Sequence, residues 1–295
     1  MNRHLRIPLV ACAVLALAGC AAIRPPAQSP TRAPAANPPT DDRLDALLWA
    51  QNAAEHDLVY LEIYRDAQSK LLRALHDRNW DALPREDRSG PARQLKPAII
   101  LDIDETVLDN SPYEARLIRE HRAFDEAGWR KWCEEAAARP LPGALALTRF
   151  AAAHGIDVYY LSNRDRSLDA VTLKNLRDAG FPVTTANAFL GAGTPVPGCT
   201  QVHAADKTCR RRLIGRTHRV LMQFGDQLGD FVSLGDGSLA ARGAAIGPYR
   251  NWIGERWFVL PNPMYGSWES ALYGNDRALT PDQQRARKLE HLRVD

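Results

Sequence analysis

Residues 98–106 read AIILDIDET, and this stretch decides the fold class of the chain. A short, continuous apolar run that ends in an acid is typical of a strand buried on both faces of a parallel sheet. Asp102 and Asp104 are two residues apart, which is the side-chain repeat of extended backbone, so both carboxylates can face the same pocket. The stretch therefore predicts a buried parallel strand with two acids at its carboxyl end.

Three further apolar runs indicate more strands of the same sheet. They cover residues 156–161, 219–224 and 257–260, and helical patterns at residues 143–154 and 167–179 alternate with them. Strands that alternate with helices form βαβ units. The sequence therefore predicts an α/β fold in which helices flank a parallel sheet.

The chain contains four polar clusters, three of which directly follow predicted strands. Besides the two acids, they are Ser162-Asn163-Arg164 after the second strand, Asp206-Lys207-Thr208, and residues 225–230 (GDQLGD) after the third. Each cluster alone has an ordinary explanation as a turn or a helix cap. In open α/β sheets, however, ligands bind at the carboxyl edge of the strands. The combination therefore predicts one shared site at this edge.

This arrangement of clusters resembles that of the aspartate-nucleophile phosphohydrolases of the haloacid-dehalogenase superfamily, and the resemblance implies phosphate chemistry. Enzymes accelerate the hydrolysis of phosphate monoesters by up to ~10²¹-fold, whereas a general acid alone contributes about 10²–10⁴. Most of the effect must come from positioning and from charges around the transferred phosphoryl group. A site with several acids and a lysine, as here, meets that requirement.

Five segments of the chain resemble one known family. They are residues 49–55 (WAQNAAE), 100–112 (ILDIDETVLDNSP), 161–164 (LSNR), 225–231 (GDQLGDF) and 260–268 (LPNPMYGSW). Together they are similar to the class C bacterial acid phosphatases, or lipoprotein e family, which are DDDD phosphohydrolases of the haloacid-dehalogenase (HAD) superfamily. The resemblance covers nearly the whole chain after the first forty residues.

The resemblance implies a HAD-like, Rossmannoid parallel sheet flanked by helices. It also implies a smaller helical subdomain formed by the N-terminal helices and by the segment that follows the first motif. The predicted organisation is a signal peptide (1–19), a lipidated Cys20 with a Pro-rich tether (20–40), an N-terminal helical segment (41–97), a catalytic domain (98–275) with a helical insert at about 110–140, and a charged tail (276–295).

The resemblance also assigns roles to single residues. Asp102 would attack phosphorus, and Asp104 would protonate the leaving group and then activate water. Crowded carboxylates have pKa values that are pushed apart, which allows one to act as a base and the other as an acid. The other assignments are Ser162, the Asn163 backbone N–H and Lys207 for the phosphoryl oxygens, and the Asp102 side chain, the Asp104 carbonyl, Asp226 and Asp230 for Mg²⁺. Mg²⁺ prefers such oxygen ligands.

Two positions depart from the family pattern. Gln227 stands where the family usually has Asn, and Thr208 stands where Ser is common beside the lysine. Both replacements keep the type of functional group. They therefore do not change the predicted chemistry.

The family favours nucleoside 5′-monophosphates and aromatic phosphates. Trp129 and Tyr265 are the aromatic residues expected to stack on such leaving groups. Two alternatives stay open from sequence. The protein could be a surface lipoprotein that binds haem or another nutrient, or a phosphotransferase that passes the phosphoryl group to an alcohol. A homodimer is expected from the resemblance alone.

The first forty residues predict export and anchoring. Arg3 and Arg6 precede an apolar run at residues 7–18, which is too short to span a bilayer and has the shape of a secretory signal. Leu17-Ala18-Gly19-Cys20 resembles a bacterial lipobox, in which the cysteine is lipidated. Ala21 follows it, where an inner-membrane retention signal would place Asp, so the outer membrane is the predicted location.

Charge and cysteine content limit the other functions. Removing residues 1–19 lowers the formal net charge from +3 to +1, so there is no basic field of the kind that nucleic-acid binding requires. An exported domain can form disulfides. Cys199 and Cys209 could pair, which would leave Cys133 as a free core thiol, or both could stay reduced.

Overall fold

The computed structural model describes residues 41–184, 186–200 and 205–294. Its strands are β1 (Lys96–Leu101), β2 (Leu108–Asp109), β3 (Arg139–Pro140), β4 (Asp157–Asp165), β5 (Phe189–Ala192), β6 (His218–Gly225) and β7 (Trp257–Val259). Its helices are α1 (Leu44–Asn52), α2 (Ala54–His76), α3 (Ser111–Arg119), α4 (Glu126–Glu135), α5 (Ala144–Ala153), α6 (Asp169–Asp178), α7 (Thr208–Gly215), α8 (Leu239–Ile246), α9 (Ser267–Ser270) and α10 (Pro281–Leu289).

Five parallel strands form the main sheet in the order β5-β4-β1-β6-β7, and β2 and β3 form a small antiparallel pair. The predicted α/β class with a parallel sheet is confirmed. The chain builds outward from β1 through β4 to β5, then returns to the other side of β1 for β6. The carboxyl end of β1 therefore lies where the strand order reverses, which is where such sheets bind ligands.

The core lies on both faces of this sheet. Ile99 and Leu101 of β1 join one buried cluster, which includes residues of α2, α5 and α6. Ile100 points to the opposite face and joins a second cluster with Ile214 of α7 and Trp257 of β7. The continuous apolar run that predicted β1 is explained by this alternation, because both faces of the strand are covered.

The N-terminal helix α2 holds the loop that follows β1. The hydroxyls of Tyr60 and Tyr64, one helical turn apart, donate hydrogen bonds of 2.6 Å to the carbonyl oxygens of Glu105 and Thr106. Glu105 has a φ of +55°, in the left-handed region that costs a residue with a side chain about 1–3 kcal/mol. The two tyrosines help to fix this unfavourable turn, so the N-terminal helical segment is part of the site's framework.

Two segments differ from their sequence predictions. β4 runs on to Asp165, so Ser162-Asn163-Arg164 belongs to the strand rather than following it. The pairing of β4 with β5 is irregular between Leu161 and Asp165, and such bulges redirect side chains. The short edge strand β5 was not predicted, because its four residues (FLGA) carry too little pattern to distinguish a strand from a loop.

Both termini of the described chain meet. The charged tail contains α10, whose Arg285 and Lys288 form ion pairs with Asp42. Lys288 also pairs with Glu269, at 2.5 Å. Signal peptide, Cys20 and tether lie outside the described residues. Among the helices that are described, none combines the length and the apolar character needed to cross a membrane.

The cysteines resolve the alternative that the sequence left open. Cys199 and Cys209 form a disulfide, and Cys133 is free and buried. Burial raises the pKa of the Cys133 thiol to about 12. A thiol with such a pKa is unreactive at neutral pH, so Cys133 is a core residue.

Candidate active site

The centre of the site is the end of β1. The Asp102 N–H donates to the Phe224 carbonyl of β6 (2.9 Å), which carries the sheet pairing one residue past β1 and fixes the Asp102 backbone. Its carboxylate is buried and accepts a hydrogen bond from the Lys207 ammonium. The predicted nucleophile is therefore held at the central strand of the sheet.

Lys207 connects two acids from separate parts of the chain. Its side chain is 2% exposed, and its ammonium donates to Asp102 and, at 2.6 Å, to Asp230. It comes directly before α7, so the start of that helix determines where the ammonium lies. A buried ammonium between two carboxylates is stable only because both charges are paired and hydrogen-bonded.

The turn after β6 brings Asp230 to the lysine. The Gln227 N–H donates to Asp230 Oδ2 at 2.9 Å, and Asp230 Oδ1 faces Lys207. The carboxylate packs directly on Gly225, where a Cβ would lie 2.2 Å from Asp230 Oδ2. Glycine at position 225 is therefore required for the approach of Asp230.

Asp226 is oriented by two amides. Asp226 Oδ2 accepts hydrogen bonds of 2.8 Å from the side chains of both Gln227 and Asn262. Gln227 Oε1 also accepts from the N–H of Ser267 at 3.1 Å, a longer reach that the more usual asparagine would lack. The departure at Gln227 thus links Asp226 to the loop at residues 261–268.

Asp102, Asp226 and Asp230 each offer an oxygen atom within 4.8 Å of the others. Three carboxylates meet one ammonium there, which leaves two negative charges that a divalent cation would balance. Burial raises the pKa of Asp102 and Asp226, an effect to which the charge of Asp230 adds. The donor set of carboxylate oxygens therefore fits a hard divalent cation.

Asp104 has different partners from those of Asp102. It forms an ion pair with the buried guanidinium of Arg164 at 2.7 Å, and it accepts hydrogen bonds from Asn110 (2.8 Å) and from Ser162 Oγ (3.2 Å). Sequence reasoning gave no role to Arg164 or Asn110, although both lie inside the quoted motifs. Arg164 meets Asp104 because β4 pairs with β1, whereas Asn110 lies only six residues further along the chain from Asp104.

Two of the three predicted phosphate-binding residues, Ser162 and Asn163, lie in the irregular part of β4. Ser162 is fully buried, and Asn163 is exposed. The Asn163 side-chain oxygen accepts a hydrogen bond from Arg210 of α7, at 3.2 Å. Arg210 also donates to the Ser162 carbonyl, so α7 fixes the end of β4 as well as Lys207.

The two predicted substrate-binding aromatics lie on different segments. Trp129 of α4 packs on the core, and its ring is 5.5 Å from the Arg164 guanidinium, which in turn contacts Asp104. Tyr265 is connected to the metal-site carboxylates through Gln227, which donates to its carbonyl at 3.4 Å. Their contact with a substrate stays a prediction.

The metal-free protein is expected to lose stability as the pH rises through 7. Burial and the charge of Asp230 raise the Asp226 pKa from 3.8 to about 7. A carboxyl group with a raised pKa in the folded state stabilises the fold below its unfolded pKa, and that contribution is lost as the pH rises through the folded value. Thermal unfolding in EDTA should therefore give a lower Tm at pH 8 than at pH 5.

The Asp226→Asn variant is the control for this experiment, because it removes the titrating group and should reduce the difference in Tm. Adding a divalent cation at pH 8 should raise the Tm of the unmodified protein. Equal Tm values for Asp226→Asn and the unmodified protein at every pH would contradict the assignment to Asp226.

Comparison with known proteins agrees with this geometry. The family model described as HAD superfamily, subfamily IIIB (acid phosphatase) matches residues 45–268. The class C acid phosphatase from Bacillus anthracis, solved with tungstate bound, superimposes with a TM-score of 0.73 at 32% identity, covering 86% of this chain and 97% of that chain. HAD phosphatases generally use a divalent metal, and the carboxylate cluster is consistent with one.

Plant proteins are also similar over part of their length. Acid phosphatase 1 from Solanum lycopersicum is 29% identical over 56% of this chain and 57% of its own length. Vegetative storage protein 2 from Arabidopsis thaliana is 29% identical over 56% of this chain and 55% of its own length. The matched region thus spans little more than half of either plant protein.

The family match covers about three quarters of the chain and includes Asp102, Asp104, Lys207, Asp226 and Asp230. The likeness to the Bacillus anthracis enzyme extends over nearly all of that protein. The chain therefore belongs to the acid phosphatases of HAD subfamily IIIB and, within them, to class C.

Proposed function

We propose that this protein is a Mg²⁺-dependent phosphomonoesterase that works through an aspartyl-phosphate. The observation that carries the proposal is the convergence of Asp102 with Lys207, Asp226 and Asp230 at the centre of the sheet edge. Asp102 follows β1, Asp226 and Asp230 follow β6, and Lys207 lies directly before α7. Packing alone does not need three acids in one place, whereas phosphoryl transfer does need fixed charges around the reacting group.

In the first step, a carboxylate oxygen of Asp102 attacks phosphorus while the bond to the leaving oxygen breaks. Lys207 neutralises charge on the phosphoryl oxygens. Asp104 supplies the proton that the departing alcohol takes up. The products of this step are the free alcohol and a phosphorylated Asp102.

In the second step, a water molecule attacks phosphorus of the acyl phosphate, and Asp104 accepts its proton. Arg164 forms an ion pair with Asp104 at 2.7 Å, and this contact fixes the side chain that exchanges the proton in both steps. Phosphate leaves, and Asp102 returns to its carboxylate form. The same side chain thus serves as acid and then as base.

Mg²⁺ would be held by Asp102 and Asp226, with Asp230 beside them and the Asp104 carbonyl as a further ligand. When bound, it would offset the negative charge of the phosphoryl group. The amides of Gln227 and Asn262 occupy Asp226 Oδ2 and so present the other oxygen, Oδ1, to a cation. Such orientation of a ligand by its neighbours commonly tunes a metal site.

Binding of tungstate by the Bacillus anthracis enzyme supports an oxyanion site here, because tungstate is tetrahedral and anionic like phosphate. The similarities support neither the haem-binding alternative nor the phosphotransferase alternative. Trp129 and Tyr265 are proposed to stack on aromatic or nucleoside leaving groups. This assignment specifies the leaving group of the substrate and does not change the proposed reaction.

The test is an assay of the purified protein on p-nitrophenyl phosphate and on AMP, with Mg²⁺ and with EDTA. We expect hydrolysis that EDTA reduces to background and that added Mg²⁺ restores. A phosphodiester should not be cleaved. Full activity in EDTA would contradict the role of the metal, and no release of phosphate from any monoester in Mg²⁺ would contradict the function.

We also propose that Cys20 carries a lipid anchor in the outer membrane, on the strength of the LAGC sequence. Stable attachment needs more than one acyl chain. Detergent phase partitioning of the exported protein should place it in the detergent phase, and Cys20→Ala should move it to the aqueous phase. An unchanged partition of that variant would contradict the anchor.

A further inference from the structure

Asn110 is an asparagine at the start of a helix that does not cap the helix. It is the residue before α3, a position where an asparagine side chain usually accepts a hydrogen bond from the first turn. No such bond is formed here. Its side chain instead turns inward and is only 1% exposed. A capping residue with a buried, diverted side chain suggests another role.

The Asn110 side chain makes its two principal contacts with an acid and an indole. The nitrogen Nδ2 donates to Asp104 Oδ1 at 2.8 Å, and Oδ1 accepts a hydrogen bond from Trp132 Nε1 at 2.7 Å. An indole N–H can only donate. It therefore fixes which end of the amide faces it, and the NH₂ group must face Asp104.

Trp132 is itself held firmly. It is 4% exposed, packs on Tyr113 at a ring distance of 6.5 Å, and has the Arg116 guanidinium 5.0 Å from its ring. It belongs to α4, in the insert that follows the first motif. A rigid indole on this insert is therefore connected, through one amide, to the predicted proton donor.

The other donors to the Asp104 carboxylate come from β4. Arg164 donates to both carboxylate oxygens, through Nε at 3.0 Å to Oδ1 and at 3.3 Å to Oδ2. Ser162 Oγ, on the same strand, donates to Oδ2 at 3.2 Å. The Asn110 NH₂ group donates to Oδ1 from outside β4, so it fixes the carboxylate from a second segment of the chain.

We propose that Asn110 and Trp132 are positioning residues that orient Asp104 for protonation of the leaving group. The inference rests on the proposed function, since it concerns the acid of that reaction. Neither residue contacts the metal-site carboxylates Asp102, Asp226 or Asp230 in the hydrogen bonds of the described chain. Their loss should therefore affect proton donation more than attack by Asp102.

The experiment compares two leaving groups. An alkyl phosphate needs its leaving oxygen protonated, whereas p-nitrophenolate leaves with little help. For Trp132→Phe, which keeps the ring and removes the N–H, we expect kcat/KM to fall about tenfold on the alkyl phosphate and less than about twofold on p-nitrophenyl phosphate, as a partial loss of general-acid catalysis. Asn110→Ala should show the same selectivity more strongly, and it removes no large side chain.

The matched control is Trp257→Phe. Trp257 is fully buried and also donates through Nε1, at 2.7 Å to the Ala82 carbonyl, but it belongs to the other core cluster. It should lower the Tm and leave the ratio of the two kcat/KM values unchanged. Asp104→Asn supplies the reference for complete loss of the acid.

The outcomes separate the inference from the function on which it rests. The ratio compared is kcat/KM on p-nitrophenyl phosphate divided by kcat/KM on the alkyl phosphate. A larger ratio than in the unmodified protein, in both Trp132→Phe and Asn110→Ala, supports the inference. An unchanged ratio in folded Asn110→Ala, with a changed ratio in Asp104→Asn, overturns the inference and leaves the phosphatase intact. An unchanged ratio in Asp104→Asn would instead refute the acid role of Asp104.

Discussion

Asp102→Asn is expected to lower kcat on phosphate monoesters by about 10⁴-fold or more, as removal of a nucleophile does in other covalent mechanisms. A carboxamide cannot replace the carboxylate as the attacking group. The neighbouring residues stay in place, because Lys207 keeps its hydrogen bond to Asp230. Rapid-quench and steady-state assays should detect no phosphorylated protein and almost no release of phosphate.

The loss should occur without unfolding. Burial raises the pKa of Asp102 well above its usual range, although Lys207 lowers it, and the charges of Asp230 and Asp226 raise it further. Asn at this position removes one crowded acid, so the metal-free variant should have a Tm at pH 7 at least equal to that of the unmodified protein. An Asp102→Asn variant that retains even a tenth of the activity would refute the assignment of Asp102 as the nucleophile.

Asp87→Asn is the matched control. Asp87 is also a buried aspartate, and it pairs with Arg211 at 2.8 Å and with Arg212 at 3.1 Å. Arg211 reaches the carboxylate cluster only through the backbone, since it donates to the Asp230 carbonyl at 3.3 Å. Its replacement leaves a buried guanidinium without its carboxylate, which typically costs about 3–5 kcal/mol of unfolding free energy. It should lower the Tm while kcat falls far less than in Asp102→Asn. The two variants thus separate catalysis from stability.

Lys207→Met is expected to lower both activity and stability. It removes the ammonium that pairs with Asp102 and Asp230, and breaking such a buried pair typically costs about 3–5 kcal/mol. It also removes the positive charge that is proposed to neutralise the transferred phosphoryl group. The loss of one such stabilising donor lowers kcat by about 10²–10³-fold. Urea unfolding and steady-state kinetics measure the two effects.

The pH dependence provides a further check on Lys207. Lys207 lowers the pKa of Asp102, so its removal should raise that pKa further. The unfolding free energy of Lys207→Met should then recover as the pH falls and Asp102 becomes protonated. Lys70→Met is the control: Lys70 pairs with Asp66 and Glu255 at the surface, and its loss should cost less than about 1 kcal/mol. Equal losses of unfolding free energy in Lys207→Met and Lys70→Met would contradict the stabilising role of the buried Lys207 ion pairs.

The sequence was most informative where local pattern and chemistry coincide. The apolar run before Asp102 predicted a strand that is buried on both faces of the sheet, and the structure places this strand, β1, at the centre of the sheet. Asp226 and Asp230 were expected beside Asp102, and all three lie within reach of one cation. The short strand β5 was missed, since four residues do not establish a period.

Residues that orient the site were less accessible from sequence. Asn262 lay in a quoted motif, and Tyr60 and Tyr64 lay in a predicted helix, yet none was assigned to the site. Their hydrogen bonds join segments far apart in the chain, such as Tyr60 with the Glu105 carbonyl. Nothing in the spacing of residues indicates which backbone oxygen a distant hydroxyl will meet.

By itself the sequence determined the class of fold and the chemistry of the acids, because strand periodicity and the position of polar residues at strand ends are local properties of the chain. Only the tertiary structure decided how each acid is used. Asp102 and Asp230 share Lys207, whereas Asp104 pairs with Arg164 and Asn110. These choices depend on how the ends of β1, β4 and β6 and the start of α7 pack together, which no single segment specifies.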